Sequence, residues 1–479
     1  MCSRDERPDR HLPHPAHGLL GGLLAILVLA SPGCAQLLGL DDTRGPGDAI
    51  PCKSDTECSS TAPICDTLEG VCRGCSAAAE CSSKDGATPF CATDGRCGAC
   101  LLDNDCSGNP AQNICDAEEL VCRGCEAHKE CASSVCDIAT AQCVDPAQVV
   151  YTTPNGRSVS NCGTQEEPCG FLPDAITKLT SARPYLRLQG TFNTRLAFTA
   201  DAIVIGEDAA LDLTPVDFDT TPGILISNNA RVTIDGLRIA NLSVGSGIEC
   251  MTASLTMRKV SVENNNGDGV RAETCPLIIE ESRISSNGGQ GIEAFGQNLS
   301  VERSLIADNY RGGVTGYDGN LLLRNNLILR NSNLDEYHGA IRLNGAASSS
   351  IVSYNTFVGN NVNGNYIGII ACAQNTVLSS NIIWDNHTAD YATDDQTLMN
   401  CTTVRNNVSD SKLGDAVGNF SGDPGFTDMA GNDYTPKAGS PALDRGQPDL
   451  ANLLDYAGNS RPVGDGPDIG ALERQPLAP

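Results

Sequence analysis

The sequence has few positively charged residues. Its 479 residues include 32 lysines and arginines against 59 aspartates and glutamates, which gives a formal net charge of −27. Nucleic-acid binding depends on Lys and Arg neutralising phosphates, so a general nucleic-acid binder is excluded. Anionic polymers such as pectate are disfavoured for the same reason. Neutral sugars, cations and other proteins are left as partners.

The sequence also lacks an apolar run long enough to span a bilayer comfortably, since the run from Gly18 to Ala30 has only thirteen residues. It is followed by Ser31-Pro32-Gly33-Cys34, and together the two segments resemble a bacterial lipoprotein signal over residues 1–33. The resemblance implies cleavage before Cys34, a membrane-inserted lipid on its thiol, and an exported protein anchored at the outer membrane or cell surface. The alternative is ordinary secretion.

Large apolar residues are scarce in residues 51–145, which follow a linker at 34–50, so this segment cannot fold on a core. Its sixteen cysteines form four sets of four, each opening C-x5-C and joined to the next by C-x2-C. In an exported protein this pattern predicts four repeats with two disulfides each, in a connectivity that the sequence leaves open. The cysteines are Cys52, Cys58, Cys65, Cys72, Cys75, Cys81, Cys91, Cys97, Cys100, Cys106, Cys115, Cys122, Cys125, Cys131, Cys136 and Cys143.

Zinc is the competing interpretation of the C-x2-C pairs, because their spacing suits metal ligands. The repeats are similar to small EGF-like or Dickkopf-like cysteine modules of bacterial surface lipoproteins, and this similarity implies a stalk or an adhesion spacer. Six further cysteines follow, an even number that fits complete pairing. The pairs that their spacing suggests are Cys162 with Cys169, Cys250 with Cys275, and Cys372 with Cys401.

A glycine followed by a β-branched residue recurs every 22 residues, at Gly247, Gly269, Gly291 and Gly313. A fixed period of this length indicates a solenoid, whose units bury their apolar sides by stacking. An eleven-residue phrase follows each glycine, and its first, third and eighth places are mostly apolar, as is typical of strands. The seven phrases begin at Val232, Leu255, Leu277, Leu299, Leu321, Ile351 and Thr376.

Asparagine occupies the last place in six of the seven phrases. Asn tolerates the left-handed backbone of a sharp turn, and stacked amides can bond from coil to coil, so we expect a structural ladder. The alternative is a row of ligand-binding amides. The six residues are Asn265, Asn287, Asn309, Asn331, Asn361 and Asn386.

Charges of mixed sign occupy the fourth place of the phrase. Stacked neighbours of opposite charge would form a weak exposed ladder. The alternative is a catalytic acid pair at Glu280 and Glu302. The residues in this place are Asp235, Arg258, Glu280, Glu302 and Arg324.

The repeated phrases resemble the parallel β-helix family of pectate lyases, polygalacturonases and phage tailspikes. The resemblance covers about residues 175–415 and implies an all-β, right-handed parallel β-helix solenoid, which we place at 146–415. The tail from Asp423, with GSPALDRG and DIGALE, resembles the segment that follows many bacterial β-helices with varied surface anchors, and we expect residues 416–479 to cap the solenoid. We expect no cofactor, and the alternative is a calcium site in this segment. Its candidate ligands are Asp444, Asp455, Gly458, Asp468 and Gly470.

Motifs of known chemistry are absent from the sequence: we find no Ser-His-Asp constellation, phosphate loop, metal-binding helix or counterpart of the family's lyase and polygalacturonase motifs. Irregular loops between residues 331 and 400 are the better pointer to a site, because rigid scaffolds position functional loops. Aromatic, acidic and histidine side chains there suit carbohydrate. The candidate ligand-binding residues are Tyr337, His338, Tyr366, His387, Asp390, Tyr391, Asp394 and Asp395.

The sequence therefore predicts an exported, non-enzymatic lipoprotein: a cysteine-rich stalk carrying a β-helix that serves as a structural or binding surface. One alternative is a polysaccharide hydrolase or lyase acting at the loop cluster. Another is an adhesin that recognises a protein through the cysteine repeats.

Overall fold

The computed structural model describes most of the chain after residue 49. It divides into two compact units, one ending at Gly98 and the other beginning at Ala99. Cys34 and the signal segment lie outside the described residues. In the part of the chain that is described, no helix has the length and hydrophobicity needed to cross a membrane. The described ranges are 50–108, 111–157, 160–214, 220–333, 338–345, 349–363, 369–389, 398–411, 413, 417–447 and 454–476.

The unit ending at Gly98 contains two cysteine repeats, each with a short antiparallel hairpin. Ile64–Asp66 pairs with Val71–Arg73, and Phe90–Cys91 pairs with Cys97–Gly98. A 3-10 turn at Asp55–Glu57 and a helix at Ala78–Lys84 precede the hairpins. Within each repeat the first cysteine bonds the third and the second bonds the fourth, which settles the connectivity left open by the sequence. The bonds are Cys52–Cys65, Cys58–Cys72, Cys75–Cys91 and Cys81–Cys97.

The unit beginning at Ala99 opens with two more repeats of the same connectivity. Their hairpins pair Ile114–Asp116 with Val121–Arg123 and Cys136–Asp137 with Gln142–Cys143. Because both sulfurs of each C-x2-C pair are in disulfides, the zinc interpretation does not fit any of the four repeats. The bonds are Cys100–Cys115, Cys106–Cys122, Cys125–Cys136 and Cys131–Cys143. The 3-10 turns are Asp103–Cys106, His128–Glu130 and Pro146–Gln148.

The fourth repeat packs against the first coils that follow it. Val135 and Val144 share a small apolar core with Val149, Tyr151 and Ile205, and the Tyr151 hydroxyl donates a hydrogen bond to the Ser133 carbonyl at 3.0 Å. This repeat is therefore part of the same compact body as the coils.

The coils form a parallel β-helix with three faces, which confirms the solenoid that the 22-residue period predicts and the fold that the family resemblance implies. Each coil contributes one strand to face A, then a strand to face B and a strand to face C. Face A consists of Leu196–Phe198, Ile224–Ile226, Ile248–Met251, Val270–Glu273, Gln290–Phe295, Gly312–Tyr317, Ile341–Asn344, Ile370–Ala371 and Leu398–Met399.

Faces B and C are joined in the first coils by long strands, Ala202–Asp212 and Arg231–Ala240, that continue from one face to the other. A helix at Leu172–Ile176 lies before them. The other strands of face B are Val149–Arg157, Tyr185–Leu188, Ser254–Arg258, Leu277–Glu280, Leu299–Glu302, Leu321–Arg324, Ser350–Ser353, Thr376–Ser379 and Thr403–Arg405. Those of face C are Gly190–Phe192, Ser261–Glu263, Arg283–Ser285, Leu305–Ala307, Leu327–Leu329, Thr356–Val358, Ile382–Trp384, Val408–Ser409 and Phe420–Ser421.

The interior is filled by stacked columns from alternate places of each strand, as the phrases predict. The register that the sequence predicts is wrong in one coil. Leu323 pairs with Val352, so the sixth phrase begins at Ser350 and not at Ile351. A shift of one residue moves every side chain to the opposite side of a strand. The structure accordingly buries Val352 and Phe357 and leaves Ile351 36% exposed.

The asparagine ladder lies at the corner between faces C and A, and it is structural. From Asn287 onward each amide accepts hydrogen bonds from the backbone and side-chain N–H groups of the asparagine one coil before, as Asn331 Oδ1 does from Asn309 at 3.2 and 2.9 Å. Because of the register correction, Asn360 and not Asn361 is the member of the sixth coil. The ladder is Asn265, Asn287, Asn309, Asn331, Asn360 and Asn386.

A second ladder of side-chain hydrogen bonds, which we did not predict from the sequence, lies at the corner between faces B and C. Its column changes along the rod from Leu237 and Val260, through two serines, to asparagines that bond one another at 3.0–3.1 Å. The bonded members are Ser282, Ser304, Asn326, Asn355, Asn381, Asn407 and Asn419.

The C-terminal segment continues the last coil with Phe420–Ser421 and then runs back along the outside of face C, so it covers a side of the solenoid. A hairpin, Phe426–Asp428 with Asp433–Pro436, and the buried Ile469 and Ala471 pack on outward apolar side chains of face C. Arg461, fully buried, donates to the carbonyls of Asp468 and Gly470 at 3.0 and 2.8 Å. The covered face C residues are Leu305, Ala307, Leu327, Leu329, Val358, Ile382, Trp384 and Val408.

Candidate functional site

The outer surface of face A carries two adjacent columns of mostly polar, charged and aromatic side chains. Because side chains of a strand alternate, Ile292 and Ala294 point into the core while Glu293 and Phe295 point outward. Register pairing places the outward residues of successive coils side by side. One column is Glu249, Arg271, Glu293, Thr315 and Arg342, and the other is Met251, Glu273, Phe295, Tyr317 and Asn344.

Two aromatic rings in the second column stack face to face and form the pair named here the platform. Phe295 and Tyr317 are register partners, and their rings stack with centroids 4.7 Å apart and planes 1° apart. The Arg271 guanidinium lies over the Phe295 ring, 5.0 Å from its centroid. Both rings are half-buried, so part of each aromatic surface is open to solvent.

Two carboxylates flank the same arginine in the first column. Arg271 Nη1 contacts Glu293 closely and lies 3.9 Å from Asp268 Oδ2. Asp268 also accepts a hydrogen bond from the Gln290 backbone N–H at 2.8 Å. Burial raises the pKa of Asp268, and burial together with the charge of Asp268 raises the pKa of Glu293, although Arg271 opposes both shifts. Raised carboxyl pKa values in one cluster are typical of functional sites.

His338 stands at the edge of this cluster, one coil beyond Gly312. Its Nδ1 lies 3.5 Å from Arg342 Nη1. Burial, and then the positive charges of Arg342 and Arg311, lower the pKa of His338 to about 4. The imidazole is therefore neutral at pH 7 and can exchange hydrogen bonds with uncharged hydroxyl groups.

Of the loop residues that the sequence proposes, only His338 and His387 are described. His387 begins a short strand, His387–Ala389, which pairs with Asn361–Asn363 outside the asparagine ladder. It lies two coils from His338, roughly 10 Å along the rod axis, and its Nε2 is 3.5 Å from Asp385. The other candidates, Tyr337, Tyr366, Asp390, Tyr391, Asp394 and Asp395, lie outside the described residues.

Glu280 and Glu302 are register partners on face B, and not on the face that carries the platform. Opposite charges pair at two points of their column: Arg258 is 3.0 Å from Asp235, and Arg324 is 3.8 Å from Glu302. The ladder of mixed charges is present, but it is less exposed than the sequence suggests, because the side chains of Asp235 and Arg324 are only 10% and 16% exposed.

The carboxylates of the C-terminal segment are bonded to backbone N–H groups. Asp444 Oδ1 accepts from Asp465 and Gly466, Asp468 accepts from Asp444 and Arg474, and Asp455 accepts from Asn459 and Glu473. Each bond satisfies a turn in the segment, so the structure gives these acids a folding role. The two glycines proposed with them, Gly458 and Gly470, adopt positive φ.

Neither the repeated phrase nor the irregular loops predict the face A cluster, because its residues lie on the strand directly after each glycine. The signal was present: Arg271 and Glu293 stand 22 residues apart, as do Phe295 and Tyr317. What the sequence could not supply is Asp268, whose relation to Arg271 depends on the turn that precedes the strand.

Comparison with known proteins agrees with this architecture. Residues 246–409 match the family described as right handed beta helix region, and residues 41–149 match a family of unknown function, DUF8331. No curated protein sequence matches the chain. The crystal structure of pectate lyase Pel9A has a TM-score of 0.50 and 15% identity over 68% of this chain and 96% of that one. The chain has the right-handed parallel β-helix fold.

Two other solved structures are less similar. A GH136 lacto-N-biosidase from Eubacterium ramulus has a TM-score of 0.30 and 10% identity over 57% of this chain and 65% of that one. The PL6 family alginate lyase AlyGC has a TM-score of 0.20 and 11% identity, over 61% and 55%. These two likenesses carry no argument, and the likeness to the pectate lyase, at 15% identity, shows the fold alone, so function must be inferred from the residues of this chain.

Proposed function

We propose that this β-helix protein is exported and binds a neutral polysaccharide on the outer surface of face A. The Phe295–Tyr317 stack carries the proposal, because its partly exposed ring edges form an apolar strip against which the apolar side of a sugar can pack. Asp268 and Glu293, which share Arg271 with the Phe295 ring, add acceptors for hydroxyl groups, and the neutral His338 lies toward the other end of the same face.

The charge balance of the site favours an uncharged glycan. Acidic residues of the two outward columns and Asp268 alternate with Arg271, Arg342 and the nearby Arg311, so neither sign dominates. An uncharged chain can lie along such a surface without desolvating an unpaired charge of its own.

The test is binding of the full chain to hexasaccharides of glucose, mannose, galactose and xylose, measured by calorimetry. We expect Tyr317→Ala and Phe295→Ala each to weaken binding about tenfold, the equivalent of roughly 1.4 kcal/mol. Phe171→Ala, which removes an exposed aromatic far along the sequence from the platform, is the matched control. Equal losses in all three variants, or binding that ignores Tyr317, would overturn the proposal.

A second candidate function, glycan cleavage, is favoured by one observation: Asp268 and Glu293 share Arg271 and both have raised carboxyl pKa values. A protonated carboxyl beside an ionised one is the pair that glycosidases use. Release of reducing ends from a bound hexasaccharide that disappears in Glu293→Gln would establish it. Binding without release would leave the protein a carbohydrate-recognition protein.

We also propose that a lipid on Cys34 holds the protein at the outer membrane or cell surface. This part rests on the lipoprotein-like signal and on the disulfide-rich repeats, which require an oxidising compartment. Cys34→Ala should move the protein from the membrane fraction to the soluble one, whereas retention in the membrane would contradict lipid anchoring.

A further inference from the structure

A cleft of about 450 Å³ lies between the C-terminal segment and the corner where faces B and C meet. One wall consists of Leu454, Tyr456 and Gly458 from the segment. The other belongs to consecutive coils, with Leu305 beside four charged residues. None of these residues takes part in the face A site. The charged residues are Lys259, Glu281, Arg283 and Arg303.

Positive charge predominates in this cleft, although the protein as a whole is strongly acidic. Glu281 serves two cations at once: its carboxylate is 2.9 Å from Arg303 and 3.9 Å from Lys259. The third cation, Arg283, is 3.8 Å from Glu263, but that carboxylate is already bonded to Arg238 at 2.6 Å. Among the lining residues three cations therefore face one carboxylate.

The repeat explains how the cations come together. Lys259, Glu281 and Arg303 occupy the same place in three consecutive coils, and each has positive φ, from 48° to 53°. The corner geometry directs their side chains to one outer edge of the rod. Arg283 comes from the adjacent face C strand.

We infer that this cleft binds an anionic group, a carboxylate or a sulfate, carried on a sugar or present as a free ion. Lys259 and Arg283, with side chains 55% and 51% exposed, would contact the anion directly. Arg303, held by Glu281, would add positive potential. Tyr456 and Leu305 would provide an apolar wall for the body of a sugar.

The experiment compares binding of glucuronic acid, sodium sulfate and uncharged glucose to the full chain by calorimetry at low ionic strength. We expect the two anions to bind and glucose not to bind. Stronger binding of glucuronic acid would identify a carried carboxylate as the ligand, and equal or stronger binding of sulfate would identify a free anion.

Lys259→Gln combined with Arg283→Gln should weaken anion binding at least tenfold. Arg231→Gln is the matched control, because this exposed arginine also pairs with an acid, Asp201 at 2.9 Å, but lies outside the cleft. The inference is overturned if neither anion binds, if the double variant binds as the parent does, or if the control loses as much affinity. A circular dichroism spectrum identical to the parent's shows that the double variant is folded.

Discussion

His338 combines a half-buried position with two arginine neighbours, and this makes its protonation costly in the folded protein. Its folded pKa of about 4 lies below the ordinary value of 6.5. Between these values the unfolded chain binds a proton at His338 that the folded chain does not bind. The contribution of a neutral His338 is therefore complete above pH 6.5 and is lost as the pH falls toward 4.

We expect His338→Gln to become relatively more stable than the parent as the pH is lowered from 7 to 4, because glutamine takes up no proton. Urea unfolding of both proteins at pH 7, 5.5 and 4 measures the difference in unfolding free energy. Asp268 and Glu293, whose raised pKa values act in the opposite direction, are present in both proteins and largely cancel. A difference that does not change with pH would contradict the lowered pKa of His338.

The stability of each coil of the solenoid depends on the hydrogen bonds of its asparagine corner as well as on its strands. Asn309 is buried, accepts from the backbone and side chain of Asn287, and donates to the Ile284 carbonyl at 3.0 Å and to Asn331 at 2.9 Å. Its removal leaves several of these groups unpaired in the interior, and each buried unpaired group costs about 1–3 kcal/mol.

Asn309→Ala is therefore expected to lower the unfolding free energy by about 3 kcal/mol, measured by urea unfolding at pH 7. Asn298→Ala, at an exposed position in the same part of the rod, should change it by less than about 0.5 kcal/mol. Equal effects of the two substitutions on the unfolding free energy would contradict a stabilising role for the asparagine ladder.

At this scale the sequence predicts the coils well, because strand alternation and the 22-residue period are local properties. The predicted register fails at Ile351, because this apolar residue points outward but was assigned to the core. The error could have been recognised from Ser353, a polar residue that this register puts in the core. The second ladder is hidden because its column changes from leucine and valine to serine and then asparagine. The face A platform follows from the same period, but Asp268 and His338 enter the site through turns.

The molecule as a whole depends on its C-terminal segment to cover face C. Leu327, Leu329 and Ile382 point outward from the coils and are buried only because the segment packs on them. The sequence predicts a cap for the solenoid. It does not show that the segment turns back along the rod, because that path depends on contacts between residues far apart in the chain. Trp384, the single tryptophan of the chain, is part of the same cluster and reports on its burial.

Deletion of residues 423–479 should expose this apolar strip, shift the Trp384 emission to longer wavelength and cause self-association, measured by fluorescence and light scattering. Ile469→Asp, which places a charge in the same core, should produce the same changes in part. Met429→Asp, at a 36% exposed position of the same segment, is the control. A deletion variant that stays monomeric with unshifted emission would contradict the covering role.

The second ladder is uneven, so the two ends of the rod should differ in the force that they withstand. Coils beyond Ser304 are tied at two corners by amide bonds, whereas at the second corner Leu237 makes apolar contacts and Val260 is tied to the next coil by its backbone N–H, which donates to Ser282 Oγ at 3.1 Å. The Cys250–Cys275 bond joins the coil of Val260 to the coil of Ser282, where the amide ties are missing. Pulled along its axis, the rod should yield first at its amino-terminal coils, and at lower force once a reductant has opened this bond. Single-molecule pulling with and without reductant measures both, and a yield point at the opposite end would contradict this order.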